Sequence, residues 1–210
     1  MPICKSIVIN DSTTVKVWHI QETESELMNS IFISERSHER WSMMKSEIHR
    51  KGFLAVRKLL NCFEYSDESL IYNNFGKPLL NDGKFISITH SFDYAAVVIS
   101  DGSVGVDIEK LRPKISKLSS KFINSEAIFL NINFSTEIDR LTAIWTNKEA
   151  LYKFYGKPGL SLKDNCIVLP FINSDSNGIS WIVDGEQSIK CSSKRFKIDN
   201  YYLTVVCPYE

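Results

Sequence analysis

Asp107 and Glu109 stand two residues apart in "GVDIEK", where Val104, Val106 and Ile108 alternate with Gly105, Asp107 and Glu109. That period of two belongs to a strand, and it puts both carboxylates on one face. Two hard oxygen donors side by side suit Mg²⁺ better than zinc, which takes His or Cys. The same pattern equally describes a half-buried strand whose acids are solvated. Gly105 lies on the acidic face, where a missing side chain leaves space for a ligand. Farther along comes "WTNKEALYK", Trp145 to Lys153. On a helix Leu141, Ile144, Trp145, Leu151, Tyr152 and Tyr155 share one arc, with Lys148 in its middle and Glu149 at its edge. An ammonium amid apolar side chains must snorkel out, or meet an anion or a carboxylate in the interior. Glu149 and Lys153, spaced i, i+4, also read as a plain surface ion pair.

Other groups could meet phosphate. Gly76-Lys77-Pro78 makes a rigid turn with one projecting ammonium, or simply a turn. Thr89, His90 and Ser91 close a strand-like run and offer hydroxyls, an imidazole and backbone N–H groups; a strand-end histidine satisfied locally is the alternative. Arg36, Arg40, Arg50 and Lys51 can cradle a phosphate with guanidinium forks, or form a solvated helix face. Arg57 differs, because it sits inside "FLAVRKLL" among core-like residues and is expected to reach a specific partner.

The elements that must position these groups follow from periodicity. Ile3 to Ile9 and Val15 to Ile20 read as strands, residues 22–33 and about 37–62 as helices. Phe85–Thr89, Tyr94–Ser100 and Ser103–Glu109 read as three strands, the last two joined by Asp101-Gly102, which predicts an antiparallel meander. Residues 114–130 are helical with breaks, "NINFS" is a loop, and Thr136 with Asp139 forms a capping signature for a helix running to about Tyr155. The remainder, from "IVLPF" to "YYLTVVC", is strand-rich. Gly-Lys-Pro recurs after each long helix, at 76–78 and 156–158, and "YAAVVIS" is echoed by "YYLTVVC". The expectation is an α+β chain of two similar, pseudo-duplicated subdomains, 1–103 and 104–210. Each would be an antiparallel sheet packed with a long helix, with the active site at the seam.

Composition narrows the function. Lys plus Arg and Asp plus Glu both total 25 in 210 residues, so a protein that wraps nucleic acid or lies on an anionic membrane is disfavoured. Cys4, Cys62, Cys166, Cys191 and Cys207 form no C-x-x-C pair, which fits plain thiols in a reducing cytosol. Neither an export signal nor a long apolar span is evident, so a cytoplasmic protein is expected; a monomer is expected because the pseudo-duplication supplies both halves of a site.

The order "GKP", "ITHS", "GVDIE", "WTNKEALYK" and "GKPGLSL" over residues 35–165 resembles the 4'-phosphopantetheinyl transferase superfamily, of the surfactin-synthetase-activating type. The resemblance implies that Asp107, Glu109 and Glu149 hold Mg²⁺ (or Mn²⁺) against the pyrophosphate of coenzyme A, the substrate. It implies that Lys153 lies near that pyrophosphate and that Glu149 is the base toward an acceptor serine. His90 and Ser91, with Thr89 where the family usually has serine, match its phosphate-contacting strand end, and Lys77 with Pro78 its turn at the adenine and ribose. Arg36, Arg40, Arg50 and Arg57 would supply 3'-phosphate contacts, and Lys148 would belong to the coenzyme-binding set. The reaction implied is transfer of 4'-phosphopantetheine to a serine of an apo acyl or peptidyl carrier protein, with release of 3',5'-ADP. That partner would dock on an apolar patch with a basic rim, for which Phe122 and Phe129 are candidates. A Mg²⁺-dependent phosphohydrolase or nuclease, or a coenzyme A-binding module without turnover, are the competing readings.

Overall fold

A computed structural model describes residues 4–130, 136–171 and 177–209; the predicted "NINFS" loop and Ile3 lie outside them. The chain divides into two compact units, Met1–Asp101 and Gly102–Glu210.

In the first unit, strands β1 (Cys4–Asn10), β2 (Thr13–His19), β5 (Phe85–Ser91) and β6 (Tyr94–Ser100) form an antiparallel sheet in the order β1-β2-β6-β5. Helices α1 (Glu24–Asn29), α2 (Glu35–Ser42) and α3 (Glu47–Cys62) lie between β2 and a short hairpin of β3 (Leu70–Tyr72) and β4 (Pro78–Leu80). Helix α3 packs on β6, β5 and β2. Its Leu54, Val56, Leu59 and Leu60 join Trp18, Ile20, Ile86, Ala95, Val97 and Ile99 in one apolar core. The predicted helix over 37–62 is two helices. It breaks at 43–46, where the Arg50 guanidinium donates to the Met44 carbonyl, a backbone acceptor left over at the end of α2.

The second unit is a five-stranded antiparallel sheet in the order β7-β11-β10-β9-β8. These strands are β7 (Gly105–Lys110), β8 (Cys166–Val168), β9 (Asn177–Asp184), β10 (Gln187–Ile198) and β11 (Tyr201–Pro208). Helix α4 (Lys114–Leu118) and two 3₁₀ turns lead to α5 (Glu137–Tyr155). The capping signature holds: Thr136 Oγ1 accepts from Asp139 N and donates to the Asp139 carboxylate. Gly156 ends α5 in the left-handed region, φ 69°, as a helix stop requires.

Of the predicted meander only the first hairpin, β5 with β6, forms. β6 is already flanked by β2 and β5, so it offers no free edge, and β7 pairs instead with β11. Asp101-Gly102 is therefore where the chain passes from one unit to the next, not a hairpin turn. The two Gly-Lys-Pro echoes also differ locally. The first lies in the β3–β4 connection, where Asn73 Oδ1 accepts from the backbone N–H groups of Phe75 and Lys77, and the second is a helix cap.

Candidate active site

The β7–β11 register decides which way the acids point. Gly105, Asp107 and Glu109 oppose Val206, Thr204 and Tyr202, and directly opposed residues share a sheet face. That face is covered by α5: Thr204 Oγ1 lies 2.9 Å from Thr146 Oγ1, and Lys153 reaches Asp107. Asp107 is 4% exposed, so the acidic face is helix-covered and not a wet outer surface. Gly105 has a different reason from the one its position implied. A Cβ there would stand 2.0 Å from the Ala150 carbonyl oxygen and 2.7 Å from Phe154 N. The missing side chain makes room for the backbone of α5, not for a ligand, and so sets how closely the helix carrying Glu149 approaches the strand carrying Asp107.

Lys153 Nζ donates to Asp107 Oδ1 at 2.6 Å and to the Val106 carbonyl at 3.1 Å. It makes this cross-element contact instead of the i, i+4 surface pair that Glu149 would give. Glu149 is pushed up to about 7, first by burial and then by the negative charge of Asp107, with Lys153 opposing and Glu109 adding to the rise. The three carboxylates therefore share one field. Among the described residues no three His, Cys, Asp or Glu side chains already converge as a metal cage. The donor set still fits Mg²⁺, since hard oxygens whose mutual repulsion raises a carboxyl are what a hard cation would draw together. Glu109 also lines a small open cleft of ≈ 80 Å³ with Arg112, Ile115, Leu118, Thr142 and Trp145.

Lys148 takes the interior alternative. It is fully buried, its Nζ 2.9 Å from Glu126 Oε1. Burial pulls its ammonium below the ordinary lysine range, against the pull of Glu126. Glu126 also accepts from Asn124 N and Val168 N, so one carboxylate ties the Ser125–Phe129 turn to α5 and β8. Lys148 thus faces protein and leaves the coenzyme-binding set. Sequence reasoning missed Glu126, whose signal was an acid inside the apolar run "EAIFL". Phe122 and Phe129 are core, packed edge-on against Trp145 and Phe171, and are not a docking surface.

In the first unit Thr89 and Ser91 are buried on one face of β5, while His90 points to the other and is exposed. The His90 ring lies 5.9 Å from that of His49. Lys77 is half-buried, and burial lowers its ammonium pKa; Pro78 begins β4. Arg36 and Arg40 are exposed on α2, Arg40 stacking 4.7 Å over the Tyr72 ring. Arg50 forms a two-pronged pair with Glu24, at 2.7 and 3.0 Å. Arg57 is 3% exposed and finds its specific partner in Asp67 at 2.8 Å, over the Phe53 ring. Arg57 is taken up by the protein, which removes it from the expected phosphate contacts, whereas Arg50 stays part-exposed beside Glu24.

Carboxylates and an ammonium gathered between a strand and a helix on an α+β scaffold define a class, that of proteins that handle phosphate esters through charge and positioning. The comparisons make it particular. Residues 103–206 match the family model of the 4'-phosphopantetheinyl transferase superfamily. The chain is 26% identical over 203 residues to the 4'-phosphopantetheinyl transferase ffp of Bacillus subtilis, covering 89% of this chain and 86% of that protein. It is 34% identical over 120 residues to 4'-phosphopantetheinyl transferase AcpT of Salmonella typhi, 52% of this chain and 60% of the relative. With 4'-phosphopantetheinyl transferase gsp of Aneurinibacillus migulanus it shares 29% over 111 residues, 50% and 47% of the two chains. The chain belongs to the 4'-phosphopantetheinyl transferase superfamily. Among the described residues no helix is long and apolar enough to cross a membrane.

Proposed function

We propose that this protein transfers the 4'-phosphopantetheinyl group of coenzyme A to a serine hydroxyl of an apo acyl or peptidyl carrier protein. The observation that carries the reading is that β7 and α5 bring Asp107 and Glu109 together with Lys153 and Glu149, Lys153 bonding Asp107 directly. The serine oxygen attacks the β-phosphorus, the bond to the leaving 3',5'-ADP breaks, and the serine proton passes to Glu149. Glu149, as a carboxylate, takes that proton and gives it up afterwards. Lys153, anchored by Asp107 and the Val106 carbonyl, offers its third N–H to the pyrophosphate oxygens on which charge grows. Mg²⁺, or Mn²⁺, held by Asp107, Glu109 and Glu149 would neutralise that same charge when bound. Such a transfer rests on positioning and electrostatics, so no covalent nucleophile is needed.

His90, with Thr89 and Ser91 behind it on β5, is assigned to a coenzyme phosphate, and Lys77 with Pro78 to the adenine and ribose. Arg36, Arg40 and the part-exposed Arg50 remain as the guanidiniums for the 3'-phosphate. Free thiols among the described cysteines fit a protein that works in a reducing cytoplasm. The test is incubation with apo carrier protein, coenzyme A and Mg²⁺, reading the carrier's mass. A phosphopantetheine gain is expected. Several carrier types left unmodified, with coenzyme A still bound, would overturn the reading.

A further inference from the structure

Gly52 lies inside α3, where glycine is the weakest helix former short of proline. A helix interior that keeps a glycine usually yields that space to something else. Here the space has one claimant. A Cβ on Gly52 would stand 2.6 Å from His90 Cγ, 2.7 Å from Nδ1 and 3.1 Å from Cβ, and these are its three nearest neighbours. The imidazole lies against the bare backbone of α3, with the His49 ring beside it at 5.9 Å. His90 shares its face of β5 with Ile86 and Ile88, the face that α3 covers, yet it is exposed where they are buried or half-buried. Neither strand nor helix can give way easily. Leu54, Leu59 and Leu60 of α3 are fully buried, and β5 is paired with β6 along its whole length.

We propose that Gly52 is a positioning residue: it clears a seat on α3 that holds the His90 imidazole at one place and angle. The proposal rests on the reading above, in which His90 donates to a coenzyme A phosphate. Contact at 2.6 Å is closer than a methyl and a ring can come, so an alanine must push the ring to another rotamer. This contrasts with Gly105, whose nearest neighbours are backbone atoms of α5 and leave no side chain to move aside.

The experiment compares wild type, Gly52→Ala, His90→Ala and the double variant. Three readouts are taken: KM for coenzyme A and for the carrier, urea unfolding, and the His90 ring ¹H–¹³C signals identified by their loss in His90→Ala. Gly52→Ala should move the ring signals and raise the KM for coenzyme A about tenfold, as loss of one charge-assisted hydrogen bond would. The KM for the carrier should stay constant, and the double variant should be no worse than His90→Ala. Alanine at 52 should raise the unfolding midpoint in the His90→Ala background, as helix propensity predicts, and fail to do so when the imidazole is present. A merely structural glycine would not reverse in this way. Ring signals that stay in place in Gly52→Ala, or effects at 52 and 90 that add independently, overturn the proposal. If the ring moves while His90→Ala leaves the KM for coenzyme A unchanged, the seat stands and the phosphate role of His90 falls.

Discussion

Both units lay one long helix across an antiparallel sheet, but they fill the contact with opposite chemistry. Under α3 the contact is largely apolar, built from Leu54, Val56, Leu59 and Leu60 against Ile86, Val97 and Ile99. Under α5 it carries Asp107, Thr204, Ser193 and Arg195 on the sheet, and Thr146 and Asn147 on the helix. Burial of apolar area alone can hold a helix to a sheet, as the first unit shows. The second unit gives up part of that area to keep charged groups at a fixed spacing. Each buried polar group there must then find a partner or cost stability. Thr146 meets Thr204 at 2.9 Å and Asn147 meets Ser193 at 3.0 Å, and these links hold α5 where Glu149 and Lys153 are useful. Each unit also contains a buried ion pair, Arg57–Asp67 in the first and Lys148–Glu126 in the second. Asp67 has neutral donors as well, from Ser34 and Ser37 side chains and the Ser34 backbone. Glu126 has two backbone donors besides its lysine.

The largest way to break this contrast is Asp107→Ala, which should lower phosphopantetheine transfer by about 10³-fold. The urea midpoint should stay close to wild type, because the lysine released, Lys153, is part-exposed at 29% and can turn to water. A mass assay with the purified carrier, beside the unfolding curve, separates the two effects. Next comes Lys148→Met, which strands the Glu126 carboxylate in the interior and should cost about 3–5 kcal/mol in urea unfolding. Arg57→Met should cost less, because Asp67 retains three neutral donors where Glu126 retains two. Equal losses would erase the distinction drawn between the two pairs. Gly105→Ala should destabilise by about 1–3 kcal/mol through the clash with α5 and lower transfer with it.

The pH dependence of stability should show the smallest effects, with opposite signs in the two units. Burial pushes the Asp67 carboxyl up, but hydrogen bonds from Ser34, Ser37 and Arg57 outweigh it and leave the net below the usual range. Its contribution is present above the unfolded carboxylate pKa and is lost as pH falls through the folded one. Asp67→Asn should flatten the acid limb of stability against pH. Glu149, raised to about 7, keeps its proton longer when folded. Stability should therefore decline as pH rises from the ordinary glutamate range toward 7, and Glu149→Gln should remove that decline. Urea unfolding of the three proteins at a series of pH values would check both signs.

Much of the site was legible as spacing. The D-x-E alternation placed Asp107 and Glu109 on one strand face, and helical phase marked Lys148 as a charge that needed an interior partner. Arg57, set among core residues, was rightly expected to have a specific partner, and Asp67 is that partner. What could not be read was every choice among distant candidates. Glu126 is one acid among many until the fold brings it to Lys148, and nothing in the spacing of Glu24 and Arg50 announces that the two pair. The second hairpin of the meander failed for a related reason: a tight-turn signal reports local backbone preference but not whether the neighbouring strand has an edge to offer.

The sequence by itself determined the period of most of the longer elements, the cap at Thr136 with a helix ending near Tyr155, and which residue types sit together on one strand or one helical turn. These are local, because they depend on backbone geometry within a few residues. Only the tertiary structure decided that the acidic face of β7 is covered by α5, that Gly105 yields space to a helix, and that Gly52 yields it to His90. Alternation tells that a strand has two unlike faces; what lies over each is set by the register with β11 and the packing of a helix far along the chain.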